Sequence, residues 1–542
     1  RQHAGFGQAP KSPRPSELLF LLREHARTGR PEPRDIALQT LRAMAIGGMR
    51  DHVGGGFHRY SVDRAWRVPH FEKMLYDQAQ LVLAYLEAAQ VAGEPFFIEV
   101  AEDTLQYVVR EMTDEAGGFY SAEDADSVPP EQAHDPAPHT AEGAFYVWRQ
   151  EEIVRLFGAD ADIVQQYFGI EADGNATFDP HEEFAGKNIL YVAKGLDAIA
   201  TATGRTPDAV AAVLQRSRRV MFEARNQRPR PHLDDKVLTA WNGLMIAAFA
   251  RMARLMRGLG EGGPAAAAPY LQTARDAAGF IRSTLWNAER RTLKRRYRGG
   301  HADIDGYAED YAYLIFGLLE LFAADPDPAW LHWAIELQVR QDELFWDAQD
   351  GGWFSTSGHD ASILMRMKET YDGAEPTASS IGAHNLLVLS HLVEQPEWPS
   401  RLERTLRLFG PMLEQQGRAV PMMGAVLSEH YAGPAHVVVV GAASGDLERG
   451  LSLRYLPHAV VLLLNEAQQR AASTALPLVR DMTARDGAAT AYVCRNFACL
   501  PPMASAEAVL AALGPAAMAL ARSEGLEAHR RSVAVRLGQR ED

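Results

Sequence analysis

The densest concentration of chemically versatile side chains is one run, DHVGGGFHRYSVDRAWRVPHFEKMLYDQAQL, from Asp51 to Leu81. It holds His58 and His70, the rings of Tyr60, Trp66 and Tyr76, and the charges of Arg59, Glu72, Lys73 and Asp77. Histidine titrates near neutrality and suits a general base beside a carbon next to a carbonyl, the chemistry of sugar isomerisation or epimerisation. Glycoside hydrolysis instead needs two carboxyls, one protonated donor and one base or nucleophile. Asp124, Asp126, Asp235, Asp310, Asp372 and Glu375 are candidates for that pair, with Asp77 completing the catalytic set. The two mechanisms stay open at the level of sequence.

A polyhydroxylated ligand would also need aromatic faces for its C–H surface and planar polar groups for its hydroxyls. Tyr60, Trp66, Tyr76, Trp241 and Tyr307 supply the first; Arg59, Lys73, Asp126, Asp234, Asn242 and Asp372 supply the second. Pro69 fits a first helical position, which places His70 at a positive helix end with Lys73 and Asp77 following on one face. The same group of side chains also reads as a buried hydrogen-bonded plug closing the end of a barrel. For any single Asp near a helix start, N-capping is the simpler role.

Those residues must be positioned by helices. From about Pro15 to Leu392, apolar residues recur at three-to-four spacing, and the stretches DSVPPEQAHDPAPHTAEG and RGLGEGGPAAAAPY read as surface loops within the array. Gly-Gly-aromatic turns followed by Ser recur at GGGFHRYS, DEAGGFYS and DGGWFS. Their second glycines are 118 − 56 = 62 and 352 − 118 = 234 residues apart, and 234 is close to four steps of about 58, the size of a helical hairpin. Six or seven hairpins would fill the first four hundred residues. The helices from Val237 and from Tyr311 to Phe322 are apolar nearly all round, as an inner ring requires.

The expected fold class is therefore mainly α, an (α/α)₆ toroid over residues 1–425 with a small α/β domain over 426–542; a curved open array is the competitor. In a closed toroid the inner helices start at one mouth, so Asp234 and Asp235, the run DIDGYAED and the run DGAEPTASS would converge with the Asp51–Leu81 segment. After about Met423, HVVVVG, AVVLLLN and AYVCRNF read as strands and GDLERGLSLRY and SAEAVLAALG as helices. The turn GAASG matches neither dinucleotide nor nucleotide-phosphate loops.

The chain has 542 residues and a net charge of 55 − 70 = −15, which disfavours a nucleic-acid partner. No run has the uninterrupted apolar length of a membrane span. Cys494 and Cys499 are read as two buried free thiols, since their C-x4-C spacing fits neither a redox helix nor structural zinc, and no metal or other cofactor is expected. Cytoplasm is the default location, and the first residues carry no initiator Met or signal core, so the chain reads as a fragment.

The sequence resembles the thioredoxin-domain-bearing family of YyaL and the spermatogenesis-associated thioredoxin-like protein. The resemblance rests on GFGQAPKSPRP, the Asp51–Leu81 run, GGFYSAEDADS, EGAFYVW, RPHLDDKVLTAWNGLMIAAFA, DGAEPTASS and ATAYVCRNFACLPP. It implies a helical portion like N-acylglucosamine 2-epimerases and six-hairpin glycosidases, and a thioredoxin-like domain ahead of it in the full-length protein that is missing here. Where the family usually has Phe this chain has Ser12, and Thr377, Ala378 and Ser379 replace Ser, Gly and Asn. The expected function is carbohydrate-active, with a sugar or sugar-like ligand; the alternative is a non-enzymatic, peptide-binding scaffold.

Overall fold

Two kinds of helix alternate along the chain, and burial tells them apart. In the computed structural model, which describes residues 3–514 except 181, 260–262, 360–361 and 442–444, helix α1 (Pro15–Thr28) is followed by α2 (Pro31–Ile46). Short strands β1 (Tyr60–Ser61), β2 (Pro69–His70) and β3 (Lys73–Met74) then lead into α3 (Leu75–Ala92) and α4 (Pro95–Glu111). Every α3 residue from Leu75 to Ala89 is buried, whereas α4 shows the one-sided burial of an outer helix.

The chain next leaves the ring for an insertion. It holds β4 (Tyr120–Glu123), β5 (Asp126–Ser127), β6 (Ala141–Glu142), α5 (Gln150–Phe157), α6 (Ala161–Phe168), α7 (Leu196–Thr203) and α8 (Pro207–Arg225). Strand β7 (Leu233–Leu238) returns to α9 (Thr239–Gly258) and α10 (Gly263–Thr284). Strands β8 (Trp286–Asn287), β9 (Thr292–Arg298) and β10 (His301–Asp305) precede α11 (Ala308–Ala324) and α12 (Pro328–Phe345). The pair α13 (Ala378–Leu392) and α14 (Glu397–Gln416) and the single helix α15 (Pro421–Ala432) complete the array.

The ring closes. Helices α1, α3, α9, α11, α13 and α15 each pack on the next, and α15 packs back on α1, with Ser428 donating to Glu24 at 2.8 Å across that seam. A curved open array is thereby excluded. The α9–α11 crossing is tightest because two glycines face each other: a Cβ on Gly317 would lie 2.3 Å from the Gly243 carbonyl oxygen. The Gly-Gly-aromatic turns do mark hairpins, each following an outer helix (α2, α4 and α12). The interval from 118 to 352, however, holds two helix pairs plus the insertion rather than four hairpins. RGLGEGGPAAAAPY is also less of a loop than expected: its residues 260–262 lie outside the described ones, and α10 begins at Gly263 and carries Pro269 inside it.

Helix α15 runs past residue 425 to Ala432, so the change of architecture falls just before β11 (Ala435–Val440). Then follow α16 (Asp446–Ser452), β12 (Ala459–Leu464), α17 (Glu466–Ala472), β13 (Thr490–Arg495), β14 (Ala498–Cys499) and α18 (Ala506–Leu513). The sheet order is β12-β11-β13-β14, with β11 and β12 parallel. Residues 442–444 of the GAASG turn lie outside the described residues. This small domain sits over the C-terminal ends of the inner helices, where Gln90 donates to the carbonyls of Ser452 and Arg454. The free-thiol reading of the cysteines is corrected: Cys494 and Cys499 face each other across the β13–β14 pair and form a disulfide. A strand pairing closed by a turn at Asn496 and Phe497, both at positive φ, brought together what sequence spacing alone kept apart.

Candidate functional site

At the opposite end, the starts of the inner helices are tied into one rim by side chains. Asp310 Oδ1 accepts from the Ala240 N–H at 3.2 Å, joining α11 to α9. Asp372 accepts from the N–H groups of Thr377 (2.8 Å) and Met422 (2.9 Å), joining α13 to α15. Gln80 of α3 donates to the Ala374 carbonyl at 2.9 Å, and Arg14, ahead of α1, donates to the Asp372 carbonyl at 3.2 Å. The sheet β10-β9-β7-β4-β3 stands along this rim. Free backbone N–H groups and helix dipoles favour carboxylates here.

Within the rim, Tyr76 and Asp77 form a buried floor, 3% and 2% exposed. The Trp241 ring meets Tyr76 edge-on at 4.9 Å, and the Trp241 indole N–H donates to Glu375. Arg59 donates to the Tyr76 hydroxyl and to Glu72 Oε2 at 2.8 Å. Asp77 Oδ2 and Glu375 Oε1 are buried without a hydrogen-bond partner among the described residues. Burial pushes the Asp77 carboxyl well above the usual range, against Arg59 and helped by Glu375. Burial, reinforced by Glu309, pushes Glu375 up to about 8. Two carboxyls pushed up by burial, each with one buried oxygen left without a partner, thus stand beside two aromatic rings.

Next to them, His70 Nδ1 lies 2.7 Å from Glu142 Oε1 and its Nε2 lies 3.6 Å from Glu72 Oε2. Hydrogen bonds to these carboxylates, Glu142 first, raise it to about 9, so it is an imidazolium near neutral pH and not a free base. Its ring stacks on Tyr60 at 4.9 Å. Pro69 and His70 do not begin a helix: they pair with Ser61 and Tyr60 as strands, and α3 starts at Leu75, so Lys73 and Asp77 share no helical face. Asp126 faces the edge of this group, its carboxyl raised by partial burial and by Asp124 and Glu142.

Other expected site residues serve the scaffold. His58 is 2% exposed, held through Nδ1 to the Phe71 carbonyl at 2.9 Å and edge-on to Tyr146 at 4.7 Å, and burial lowers it to about 3. Trp66 is 1% exposed, with its indole N–H on the Ala4 carbonyl. Lys73 Nζ pairs with Asp51 at 2.9 Å over the Tyr107 ring, and Arg225 of α8 grips the same Asp51, locking the insertion to the barrel. Asn242 binds the Phe119 N–H and carbonyl, fixing the second Gly-Gly turn to α9. Asp234 and Asp235 lie on strand β7 rather than at a helix start, and pair outward with Lys236 at 3.0 Å and Arg298 at 2.6 Å. Asp124 is exposed and accepts from the Asp126 N–H.

Tyr307 precedes α11 under the Arg295 guanidinium at 4.6 Å. Asp310 also takes the Tyr307 N–H and Arg295 at 3.0 Å, while burial pushes its carboxyl up to about 7. Asp310 and Asp372 are therefore caps that shape the rim. The list of site residues drawn from sequence omitted Glu142, Arg295 and Glu309. Glu309 adjoins a named candidate, but Glu142 sits 72 residues beyond His70 with no local signal.

No family model matches the sequence. Human spermatogenesis-associated protein 20 is 38% identical over 93% of this chain, which spans just under two thirds (66%) of that relative's length. An uncharacterized protein of Caenorhabditis elegans is 33% identical over 92% of the chain, which spans 69% of it. Among solved structures, a glycoside hydrolase family 76 mannosidase of Bacteroides thetaiotaomicron aligns with a TM-score of 0.41 at 8% identity, covering 77% of this chain and 85% of its own. The fold itself rests on the closed ring of helices described above. No helix of the described residues is long and apolar enough to cross a membrane. On the strength of those two long sequence matches, the chain belongs to the spermatogenesis-associated protein 20 family.

Proposed function

We propose that the mouth is an acid–base site for a neutral, polyhydroxylated ligand, and that its reaction is glycoside hydrolysis. The observation that carries this reading is the pair Asp77 and Glu375, buried, each with one oxygen lacking a hydrogen-bond partner among the described residues, and set beside Trp241 and Tyr76. Two interacting carboxyls lose their protons in two steps. Among the charges acting on Asp77 the largest is Arg59, which favours its ionisation against Glu375 and Glu72, whereas the largest acting on Glu375 is Glu309, which with Asp310 favours retention of the proton against Trp241 and Arg295. Glu375 then protonates the leaving oxygen as the glycosidic C–O bond breaks. A water adds to the anomeric carbon and passes its proton to Asp77. A histidine base for epimerisation has less support, because His58 is enclosed and His70 is already protonated.

The test is release of reducing ends from a panel of oligosaccharides, together with thermal shifts. Glu375→Gln is expected to lower turnover by about 10²-fold or more while preserving saccharide-dependent stabilisation. Neither release nor stabilisation in the unmodified protein would overturn the reading. The scaffold reading draws on a different observation: Leu364, Met365 and Met367 are 101%, 70% and 59% exposed on the loop leading to the rim, apolar surface of the kind a peptide would cover.

A further inference from the structure

The two cysteines of the chain, Cys494 and Cys499, are joined across a hairpin that hardly needs the bond. Strands β13 and β14 are connected by a tight turn at Asn496 and Phe497, and their ladder already sets Arg495 opposite Ala498. A cross-link constrains the unfolded chain less the shorter the loop it closes, and here the partners are only 5 residues apart. Nor does the bond fasten the C-terminal domain to the barrel. That contact is made at the barrel base, where the Tyr455 hydroxyl donates to Glu87 at 2.6 Å and Glu87 also accepts from Arg23 at 3.0 Å and Arg251 at 2.7 Å.

The two sulfurs stand in unlike surroundings. Cys494 is 0% exposed within the main apolar core, whereas Cys499 is exposed on β14. Strand β14 is the edge of its sheet, and no further strand among the described residues covers it. Phe497 and Leu500, 37% and 44% exposed, flank the disulfide with apolar surface. The Leu500 N–H donates to the Val493 carbonyl at 2.9 Å, so Cys494 and Cys499 occupy the intervening position of the antiparallel ladder, where no bonds cross the pair and side chains approach most closely. That register keeps the sulfurs within reach of each other after reduction. Reduced Cys494 then fits its place as a small apolar side chain.

We propose that the β13–β14 hairpin is a reversible thiol–disulfide exchange site, reduced by a dithiol that enters at Cys499. A thiolate of the dithiol attacks Cys499 Sγ; the Cys494–Cys499 bond breaks as a bond from Cys499 to the donor forms, and the Cys494 sulfur leaves and takes up a proton. The donor's second thiol then attacks the donor's own sulfur in the mixed disulfide and releases the Cys499 thiolate, which is protonated in turn. Two electrons and two protons pass to the chain, and the donor ends as a disulfide. A monothiol is the poorer reductant, because the register holds Cys494 beside Cys499, where it displaces the adduct before a second monothiol arrives. The site lies on the C-terminal domain and does not depend on the function proposed for the mouth.

Mass spectrometry of the native chain, purified without reductant and treated with iodoacetamide before and after graded dithiothreitol, tests this, with circular dichroism alongside. No alkylation is expected before reduction, and alkylation of both cysteines afterwards with helicity unchanged. Glutathione at the same thiol concentration is expected to reduce the bond about tenfold less completely. Cys494→Ser, which leaves the exposed thiol, is expected to form a mixed disulfide with oxidised glutathione about tenfold or more faster than Cys499→Ser, which leaves the buried one. Free thiols in the untreated chain, reduction only once denaturant or loss of helicity has opened the domain, equal reduction by glutathione, or equal reactivity of the two folded variants overturns the proposal.

Discussion

The two ends of the barrel use the same six helices and the same residue types, yet hold their carboxyls in opposite states. At the mouth, Asp77 and Glu375 are buried without a full set of partners, and burial pushes both carboxyls up, so that the pair holds on to a proton. At the base, Glu320 lies between Arg251 and Arg254 and is held down at about 2 although burial alone would raise it. Burial is common to both ends; what differs is whether a cation was buried with the carboxyl. An unpaired buried carboxyl is available for proton transfer, and a paired one is structural cement. Helix polarity reinforces the division, since starts favour acidic groups and the later turns favour arginines.

The sharpest way to break this contrast is Glu87→Gln, which leaves Arg23 and Arg251 buried with too little negative charge. A loss of about 3–5 kcal/mol is expected in denaturant unfolding; a loss under about 1 kcal/mol would show the base to be solvated rather than paired. A smaller cost, about 2 kcal/mol, is expected for Asp372→Ala, a mouth carboxyl whose oxygens are taken up by the N–H groups of two helix starts. Unfolding of that variant at unchanged midpoint would remove the distinction between capping and reactive carboxyls at the rim.

The pH dependence separates the ends by sign. Glu375 is raised from 4.5 to about 8 in the folded chain, so the stability it contributes is complete below 4.5 and is lost as pH rises through 8. Glu320 is lowered from 4.5 to about 2, so its contribution is complete above 4.5 and is lost as pH falls through 2. Melting curves for Glu375→Gln are expected to flatten on the alkaline side and to match the unmodified protein in acid. Parallel curves throughout would place the Glu375 carboxyl in solvent.

The fold was largely legible because its signals are local and repeated. All-round apolarity marked α9 and α11 as inner helices, and Gly-Gly-aromatic turns marked where outer helices end. The insertion was not legible as such, since its small helices α5–α8 have the same period as the ring, and a 234-residue interval divides as readily into hairpins as into two hairpins and an excursion. Around the site, Asp77, Trp241 and Glu375 were legible as polar or aromatic groups at inner-helix starts. The roles of His58, Lys73 and Asn242 were not, because each is decided by a backbone carbonyl or a charge from a distant segment.

What the sequence determined by itself is periodicity: which stretches become helices, which of them are apolar enough to be surrounded, and that polar residues gather where those helices begin. Only the tertiary structure decided which charges are paired. Hydropathy and capping act over a few residues, whereas a buried carboxyl's protonation depends on whether an arginine from another helix lies within a few ångströms, and that distance exists only after the ring has closed.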